Sequence, residues 1–201
     1  VSSRRQRQMC IRDRLKKDEV VLINAAAGGV GISAVQLAKI EGAKVIAAVG
    51  SDEKKKFIQQ FEPDLVINYQ KENLKDIVEE KFGKRPVNVF YDQVGGQPYE
   101  EGLRLLSSEG RALIVGFASG NIPSQLLSYL LVKNISVMGV FMISFENDDK
   151  EYLERRMKKI FDQYLNKIIK PVYETIKFEE IIHYLDLIGS RKTVGRIVAL
   201  R

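Results

Sequence analysis

A loop of small residues follows the first apolar run and has the spacing of a phosphate-binding turn. Residues 25–31 read AAAGGVG, so Ala25, Gly28 and Gly31 recur every three residues between a strand-like and a helix-like run. In such a turn the second glycine lets a pyrophosphate approach the backbone and the third lets helix and strand pack closely. Ala25 stands where the first glycine is usual. Because the N-terminus of the following helix favours an anion, we predict a dinucleotide site. A tight turn that binds nothing is the alternative.

The end of the second predicted strand indicates which dinucleotide would bind. Sites for NAD carry Asp or Glu about 20 residues beyond the glycines, where the carboxylate binds the ribose 2′-hydroxyl. Here Gly50 and Ser51 occupy that place. Ser51 offers a donor, and lysines 54–56 offer cations, for a 2′-phosphate that a carboxylate would repel. We interpret Asp52 and Glu53 as the N-cap and first-turn acids of the next helix. The lysines can also be only a solvated helix face, but the pattern predicts NADPH over NADH.

The other residues with reactive side chains form no recognisable catalytic set. The only histidine, His183, and the only cysteine, Cys10, lie far apart in sequence, which excludes a nucleophilic pair or a zinc site built from them. His183 falls on a predicted amphipathic helix, where a surface or packing role is favoured over catalysis. Asp92, in YDQVGG, follows a strand and is predicted to serve the local loop. We therefore assign no catalytic residue and expect no metal.

Alternating strands and helices must position these residues. Short β-branched runs predict strands at 20–24, 44–49, 65–67, 87–91, 111–116 and 135–140. Apolar spacing predicts helices at 30–40, 52–61, 72–82, 98–106 and 123–132. Several strands are apolar throughout, as expected for strands covered on both faces. The order is typical of βαβ units, so we predict an α/β fold with a doubly wound parallel sheet of the Rossmann type.

A strand–helix–strand tail follows residue 141 and exceeds what the sheet needs. Residues 147–149 (NDD) are predicted to cap a long amphipathic helix that ends before Pro171. A strand at 172–176, a helix at 178–188 and a strand at 193–200 come next, with Gly189 ending the second helix.

Composition excludes several classes of protein. The chain has 201 residues, of which 45% are hydrophobic and 29% charged, as in a soluble globular protein. No apolar run approaches the roughly 20 residues that a membrane helix needs. Residues 1–14 carry five arginines and one acid, so they hold four of the six net positive charges. The remainder is nearly neutral, and the case for nucleic-acid binding is weak.

The first 14 residues do not look like part of the domain. They lack the apolar region and cleavage site of a secretory signal. Their arginine-rich, acid-poor composition is similar to a mitochondrial presequence, but the missing initiator Met and the abrupt change after Arg14 favour a truncated chain with a foreign leader. A lone cysteine makes no disulfide within the chain, which indicates a reducing compartment. We predict the cytoplasm over the mitochondrion.

Taken together, the motifs resemble the zinc-independent quinone oxidoreductase branch of the medium-chain dehydrogenase/reductase superfamily. The resemblance spans residues 18–201 and is carried by AAAGGVG at 25–31, VGSDEK at 49–54, VINY at 66–69, VFYDQVGG at 89–96, GRALIVGFASG at 110–120, LVKNISVMGVF at 131–141 and TVGRIVAL at 193–200. It implies that the pyrophosphate faces Ala27, Gly28, Gly29 and Val30, beside Gly31. It implies a 2′-phosphate surrounded by Gly50, Ser51, Lys54 and Tyr69. It implies a nicotinamide lined by Val115, Gly116, Phe117, Phe141, Met142 and Ile143.

The resemblance also implies a domain order. Members of this branch begin with a GroES-like substrate domain, insert the cofactor domain, and return to the substrate domain with a short tail. We therefore expect residues 1–17 to be a non-native or disordered basic leader, 18–145 to be the NADPH-binding Rossmann domain, and 146–201 to be a C-terminal remnant of the substrate domain. An orphaned tail should expose apolar surface, for instance around Val172, Ile176 and Ile197.

The resemblance implies NADPH-dependent reduction of quinones or α,β-unsaturated carbonyls by hydride transfer. This chain would be the cofactor-binding half of such an enzyme, and we expect it to be inactive alone. A dinucleotide-binding regulatory or structural protein without turnover is the alternative. RNA or single-strand binding rests only on the basic leader. We expect a small-molecule substrate, no nucleic acid, no membrane, and a homodimer of the full-length protein through the edge strand at 135–141.

Overall fold

A six-stranded, all-parallel sheet forms the body of the chain. The computed structural model describes residues 15–141 and 151–201. The strands are β1 (Val20–Ile23), β2 (Lys44–Val49), β3 (Leu65–Asn68), β4 (Val87–Asp92), β5 (Leu106–Ile114) and β6 (Ser136–Gly139), in the order β3-β2-β1-β4-β5-β6. The connecting helices are α1 (Gly29–Ile40), α2 (Asp52–Ile58), α3 (Leu74–Phe82), α4 (Gly96–Arg104) and α5 (Leu127–Lys133). The predicted doubly wound fold is confirmed, with its strand order reversing between β1 and β4.

The two faces of the sheet bury two separate apolar cores. Side chains alternate along a strand, so Leu22 and Ile46 join one core while Val21 and Ile23 join the other. Every residue of β1 is buried. This explains why the central strands are apolar throughout, as parallel strands covered on both faces must be.

Two predicted helix boundaries on the β5 and β6 side are wrong. The helix predicted at 98–106 ends at Arg104, because Leu106 is buried and pairs with Val87 as the first residue of β5. The strand predicted from 111 therefore begins five residues earlier, and its register shifts before Arg111 pairs with Val89. The helix predicted at 123–132 begins only at Leu127.

The tail forms a small βαβ unit. Helix α6 (Tyr152–Leu165) precedes β7 (Tyr173–Lys177), α7 (Ile181–Gly189) and β8 (Arg196–Leu200), and β7 pairs in parallel with β8 as a second sheet. The predicted helix cap at 147–149 lies outside the described residues.

The tail exposes apolar surface as expected, but the three residues named for it are not among the exposed ones: Val172 and Ile197 are partly buried and Ile176 is buried. Ile176 is only 6% exposed, and Val172 packs against the core beneath α1. The exposed apolar residues of the tail lie on all of its elements, for example Leu165 on α6 (72% exposed), Ile182 on α7 (77%) and Leu200 on β8 (56%). No helix in the two described segments combines the length and the apolar character needed to cross a membrane.

Candidate functional site

The turn between β1 and α1 lies at the carboxyl end of the sheet, where the strand order reverses. Gly28 is the N-cap of α1, and its N–H donates to the carbonyl oxygen of Ala25 at 2.9 Å. A Cβ on Gly31 would lie 2.3 Å from that same oxygen, so only glycine fits where the helix crosses the turn. A Cβ on Gly28 would meet the Ala25 oxygen only at 3.4 Å, in ordinary contact. Packing within the fold therefore requires glycine at position 31 but not at position 28, where the space beside the backbone is open to a ligand.

The tail lies directly against this loop. The N–H of Gly195 donates to the carbonyl oxygen of Ala27 at 2.9 Å, and Gly28 forms a parallel bridge with Gly195. A Cβ on Gly29 would lie 2.6 Å from Cγ of Arg196. The side chain of Arg196 thus lies beside the N-terminus of α1, next to the exposed Val30. Sequence reasoning missed Arg196, although it belongs to the motif TVGRIVAL.

Gly50, Ser51 and Tyr69 meet at the carboxyl end of β2. A Cβ on Gly50 would lie 2.8 Å from the hydroxyl oxygen of Tyr69, so glycine is required for this approach. The Oγ of Ser51 accepts a hydrogen bond from the N–H of Lys54 at 3.2 Å. Ser51, not Asp52 as predicted, is therefore the N-cap of α2, because its backbone is extended and the helix begins at Asp52.

The charged residues at the start of α2 have separate roles. Asp52 accepts hydrogen bonds from Asn68 and Lys71, and these lower the pKa of its carboxyl group. Lys55 forms an ion pair with Glu72 at 2.8 Å. Of the lysines offered as cations by the sequence, Lys55 is thus committed to a carboxylate, whereas Lys54 faces the tail.

Lys54, Tyr69 and Arg191 form a cationic cluster that only the fold assembles. Nζ of Lys54 donates to the carbonyl oxygen of Arg191 at 2.6 Å, and Nη2 of Arg191 donates to the carbonyl oxygen of Ala118 at 3.3 Å. Burial, together with the nearby charge of Arg191, lowers the pKa of Lys54. Burial raises the pKa of Tyr69, and the charge of Arg191 opposes this shift. The cluster is a cationic environment that an added anion would stabilise.

The backbone that follows β5 leaves the sheet at the same edge. The N–H of Val115 donates to the carbonyl oxygen of Asp92 at 2.8 Å, which holds residues 115–117 beside the end of β4. Phe117 is 39% exposed and Phe141, beyond β6, is 64% exposed. Met142 and Ile143 lie outside the described residues.

Asp92 organises the loop after β4. It is fully buried and accepts hydrogen bonds from Nδ2 of Asn24 at 2.8 Å, from the N–H of Gly95 at 2.9 Å and from the N–H of Val94 at 3.2 Å. Burial raises the pKa of its carboxyl group, and these hydrogen bonds oppose the rise. Two of its donors belong to its own loop, as predicted, and the third, Asn24, follows β1, so the carboxylate also holds this loop against the end of β1.

The other reactive residues stay away from this edge. His183 is exposed on α7 and meets Tyr184 edge-on, with the ring centroids 5.6 Å apart. Within residues 15–141 and 151–201, no group of three or more His, Cys, Asp or Glu could hold a metal ion. The loop after β1, the cationic cluster and the backbone after β5 all lie at the carboxyl end of the sheet.

A family model described as zinc-binding dehydrogenase matches residues 29–162. The chain belongs to the zinc-binding dehydrogenase family. Among its relatives, mouse quinone oxidoreductase-like protein 2 is 36% identical over 189 residues, covering 93% of this chain and 54% of the relative. Mouse prostaglandin reductase-3 is 33% identical over 199 residues, which cover 92% of this chain and 52% of that relative. The crystal structure of Escherichia coli quinone oxidoreductase complexed with NADPH has a TM-score of 0.87 and 28% identity, covering 97% of this chain and 61% of that one.

The predicted branch is thereby confirmed: this member of the zinc-binding dehydrogenase family falls in the quinone oxidoreductase branch of the medium-chain dehydrogenase/reductase superfamily. The chain spans about half the length of the curated relatives it matches.

Proposed function

We propose that this chain is the cofactor-binding part of an NADPH-dependent oxidoreductase that reduces quinones or α,β-unsaturated carbonyls. The observation that carries the proposal is the cationic cluster of Lys54, Tyr69 and Arg191 at the end of β2, where an NAD site would carry an acid. A 2′-phosphate would bind two cations and a hydroxyl there. The names of the quinone oxidoreductase and prostaglandin reductase relatives support the reaction class.

The loop after β1 would hold the pyrophosphate. The room at Gly28 and the N-terminus of α1, which begins without a side-chain cap, suit an anion that approaches the backbone closely. Arg196 adds a cation beside Gly29, and the backbone of Ala27, Gly29 and Val30 completes the loop. Ala27 contributes only its backbone, since its side chain is buried in the core.

The backbone of residues 115–117, with Phe141, Met142 and Ile143, would line the nicotinamide. When bound, the cofactor supplies the hydride. No acid or base of this chain is assigned to the reaction, because the residues around the edge of β5 are backbone and apolar groups. The contribution of the chain is to orient the nicotinamide and to exclude water from one side.

We further propose the domain division expected from the sequence, with a cofactor domain at 18–145 and a substrate-domain segment at 146–201. The separate β7–β8 sheet, linked to the cofactor loop through Gly195, supports this division. We also propose that the complete protein is a homodimer. An apolar surface beside the edge strand β6, on which Leu127 and Leu131 are more than three-quarters exposed, supports that assembly.

Titration of the purified chain with NADPH and with NADH tests the assignment. We expect NADPH to bind more tightly, and we expect Arg191→Ala to remove most of that preference because the guanidinium lies beside Lys54 and Tyr69. Lys192→Ala is the matched control, since it removes the same charge from the next, exposed residue. Equal affinities of the unmodified chain for both cofactors would refute the 2′-phosphate site.

A further inference from the structure

Gln93 bridges the loop after β4 and the turn after β1. Its Nε2 donates to the carbonyl oxygen of Asn24 at 3.0 Å and to that of Ala25 at 3.3 Å. Carbonyl oxygens only accept hydrogen bonds, so the amide group, with its two N–H donors, is the half of the side chain that must face them. A residue without such a donor cannot make this bridge.

The Ala25 carbonyl is the atom around which the phosphate-binding turn is built. It accepts the N–H of Gly28 at 2.9 Å, and the backbone of Gly31 packs against it. Ala25 itself has a φ of 48°, in the left-handed region that a residue with a Cβ adopts only at a cost. Glycine would adopt this conformation freely. The turn therefore holds a strained residue at its first position and needs an outside contact to keep it there.

Gln93 also contacts the opposite side of the cleft. The backbone carbonyl oxygen of Gln93 accepts a hydrogen bond from the N–H of Ala118 at 3.0 Å. Ala118 comes directly after the residues proposed to line the nicotinamide. One residue thus ties the turn at Ala25 to the loop that follows β5. It does so from a partly buried position in which its side-chain Nε2 donates to two backbone carbonyls.

We propose that Gln93 is a positioning residue that keeps the Ala25 carbonyl, and with it the backbone at the start of α1, in the geometry that binds the pyrophosphate. The inference rests on the proposed dinucleotide site. Backbone hydrogen bonds hold Asn24 to Tyr91 and Ala26 to Ala48 on either side of Ala25, and the Gln93 amide is the side-chain contact on the Ala25 carbonyl itself. Without that amide the left-handed conformation of Ala25 loses one of its supports, and the turn populates other conformations more often. For any ligand that needs the ordered turn, the apparent dissociation constant is then the intrinsic one divided by the fraction of molecules in which the turn is in place.

The test compares Gln93→Met, which keeps the length of the side chain but removes the donors, with the unmodified chain. We expect NADPH to bind about ten-fold more weakly, as the loss of two hydrogen bonds to a strained turn implies. Adenosine 2′-monophosphate, which has no pyrophosphate, should bind within about two-fold of its original affinity because its site is separate. Melting temperatures without ligand are measured alongside.

Ala25→Gly provides the decisive control. Glycine relieves the strain, so in the Gln93→Met background it should restore NADPH affinity to within about three-fold of the original. An unchanged NADPH affinity in Gln93→Met, a loss that Ala25→Gly does not relieve, or an equal loss for both ligands that follows a lowered melting temperature overturns the positioning role. If the unmodified chain binds neither ligand, the proposed function fails instead. If Gln93→Met does not fold, Gln93→Leu is measured in the same way against the same outcomes.

Discussion

Replacing Lys54 by alanine should separate NADPH from NADH binding. Nζ of Lys54 donates to the carbonyl oxygen of Arg191, where the 2′-phosphate is proposed to bind, and the side chain is half-buried there. NADH lacks that phosphate. The substitution should therefore weaken NADPH and leave NADH nearly unchanged, because no other part of the dinucleotide is proposed to reach this side chain.

The size of the effect follows from what Lys54 contacts already. A charge-assisted hydrogen bond contributes about 1.5–3 kcal/mol. Lys54 must first give up its 2.6 Å hydrogen bond to the carbonyl oxygen of Arg191 or share it, and so the low end of that range applies. We expect the dissociation constant of NADPH to rise about ten-fold, which corresponds to roughly 1.4 kcal/mol.

Calorimetric or fluorescence titration at one ionic strength measures the effect. Lys56→Ala is the matched control, because it removes the same charge from the same helix at an exposed position. It should change both affinities little, since exposed charges are screened by salt. Equal losses of affinity for NADPH and NADH in Lys54→Ala, or the same loss of NADPH affinity in Lys56→Ala, would refute a direct contact between Lys54 and the 2′-phosphate.

Gly28→Val is expected to abolish NADPH binding with an unchanged circular dichroism spectrum, whereas Gly31→Ala should lower the melting temperature because its Cβ would lie 2.3 Å from a carbonyl oxygen. The affinity for NADPH should fall as the pH rises through the lowered pKa of Lys54, because only the protonated amine attracts the phosphate, and the affinity for NADH should not change. Lys54→Arg should abolish this pH dependence in titrations at a series of pH values, because arginine stays charged. Leu131→Glu should convert the proposed dimer of the complete protein to a monomer in analytical ultracentrifugation. Ile182→Glu, at a similarly exposed position on α7, should not. The chain alone should bind NADPH yet oxidise it slowly with a panel of quinones, because Phe117 remains exposed in this structure; turnover at the rate of a full-length relative would contradict this.

Local patterns predicted the central part of the fold correctly. The run from β1 through α1 to β2 could be identified because strand propensity, glycine spacing and helix periodicity act over a few neighbouring residues. The need for glycine at 31 also follows from that spacing, and the structure confirms it through the close approach to Ala25. The boundaries around β5 failed because Leu106 joins the sheet through its pairing with Val87, a contact between distant residues that no local signal reports.

The tertiary structure alone decided which residues share the candidate site. Lys54 and Arg191 are 137 positions apart, and their contact exists only because the tail crosses the carboxyl end of the sheet. Arg196 and Gln93 reach the phosphate-binding turn in the same way, from β8 and from the loop after β4. The sequence by itself determined the order of the strands, the turn and the absence of an acid at positions 50 and 51, but not where β5 begins. Which cations replace that acid depends on where distant segments pack, since a side chain interacts with what lies near it in space and not along the chain.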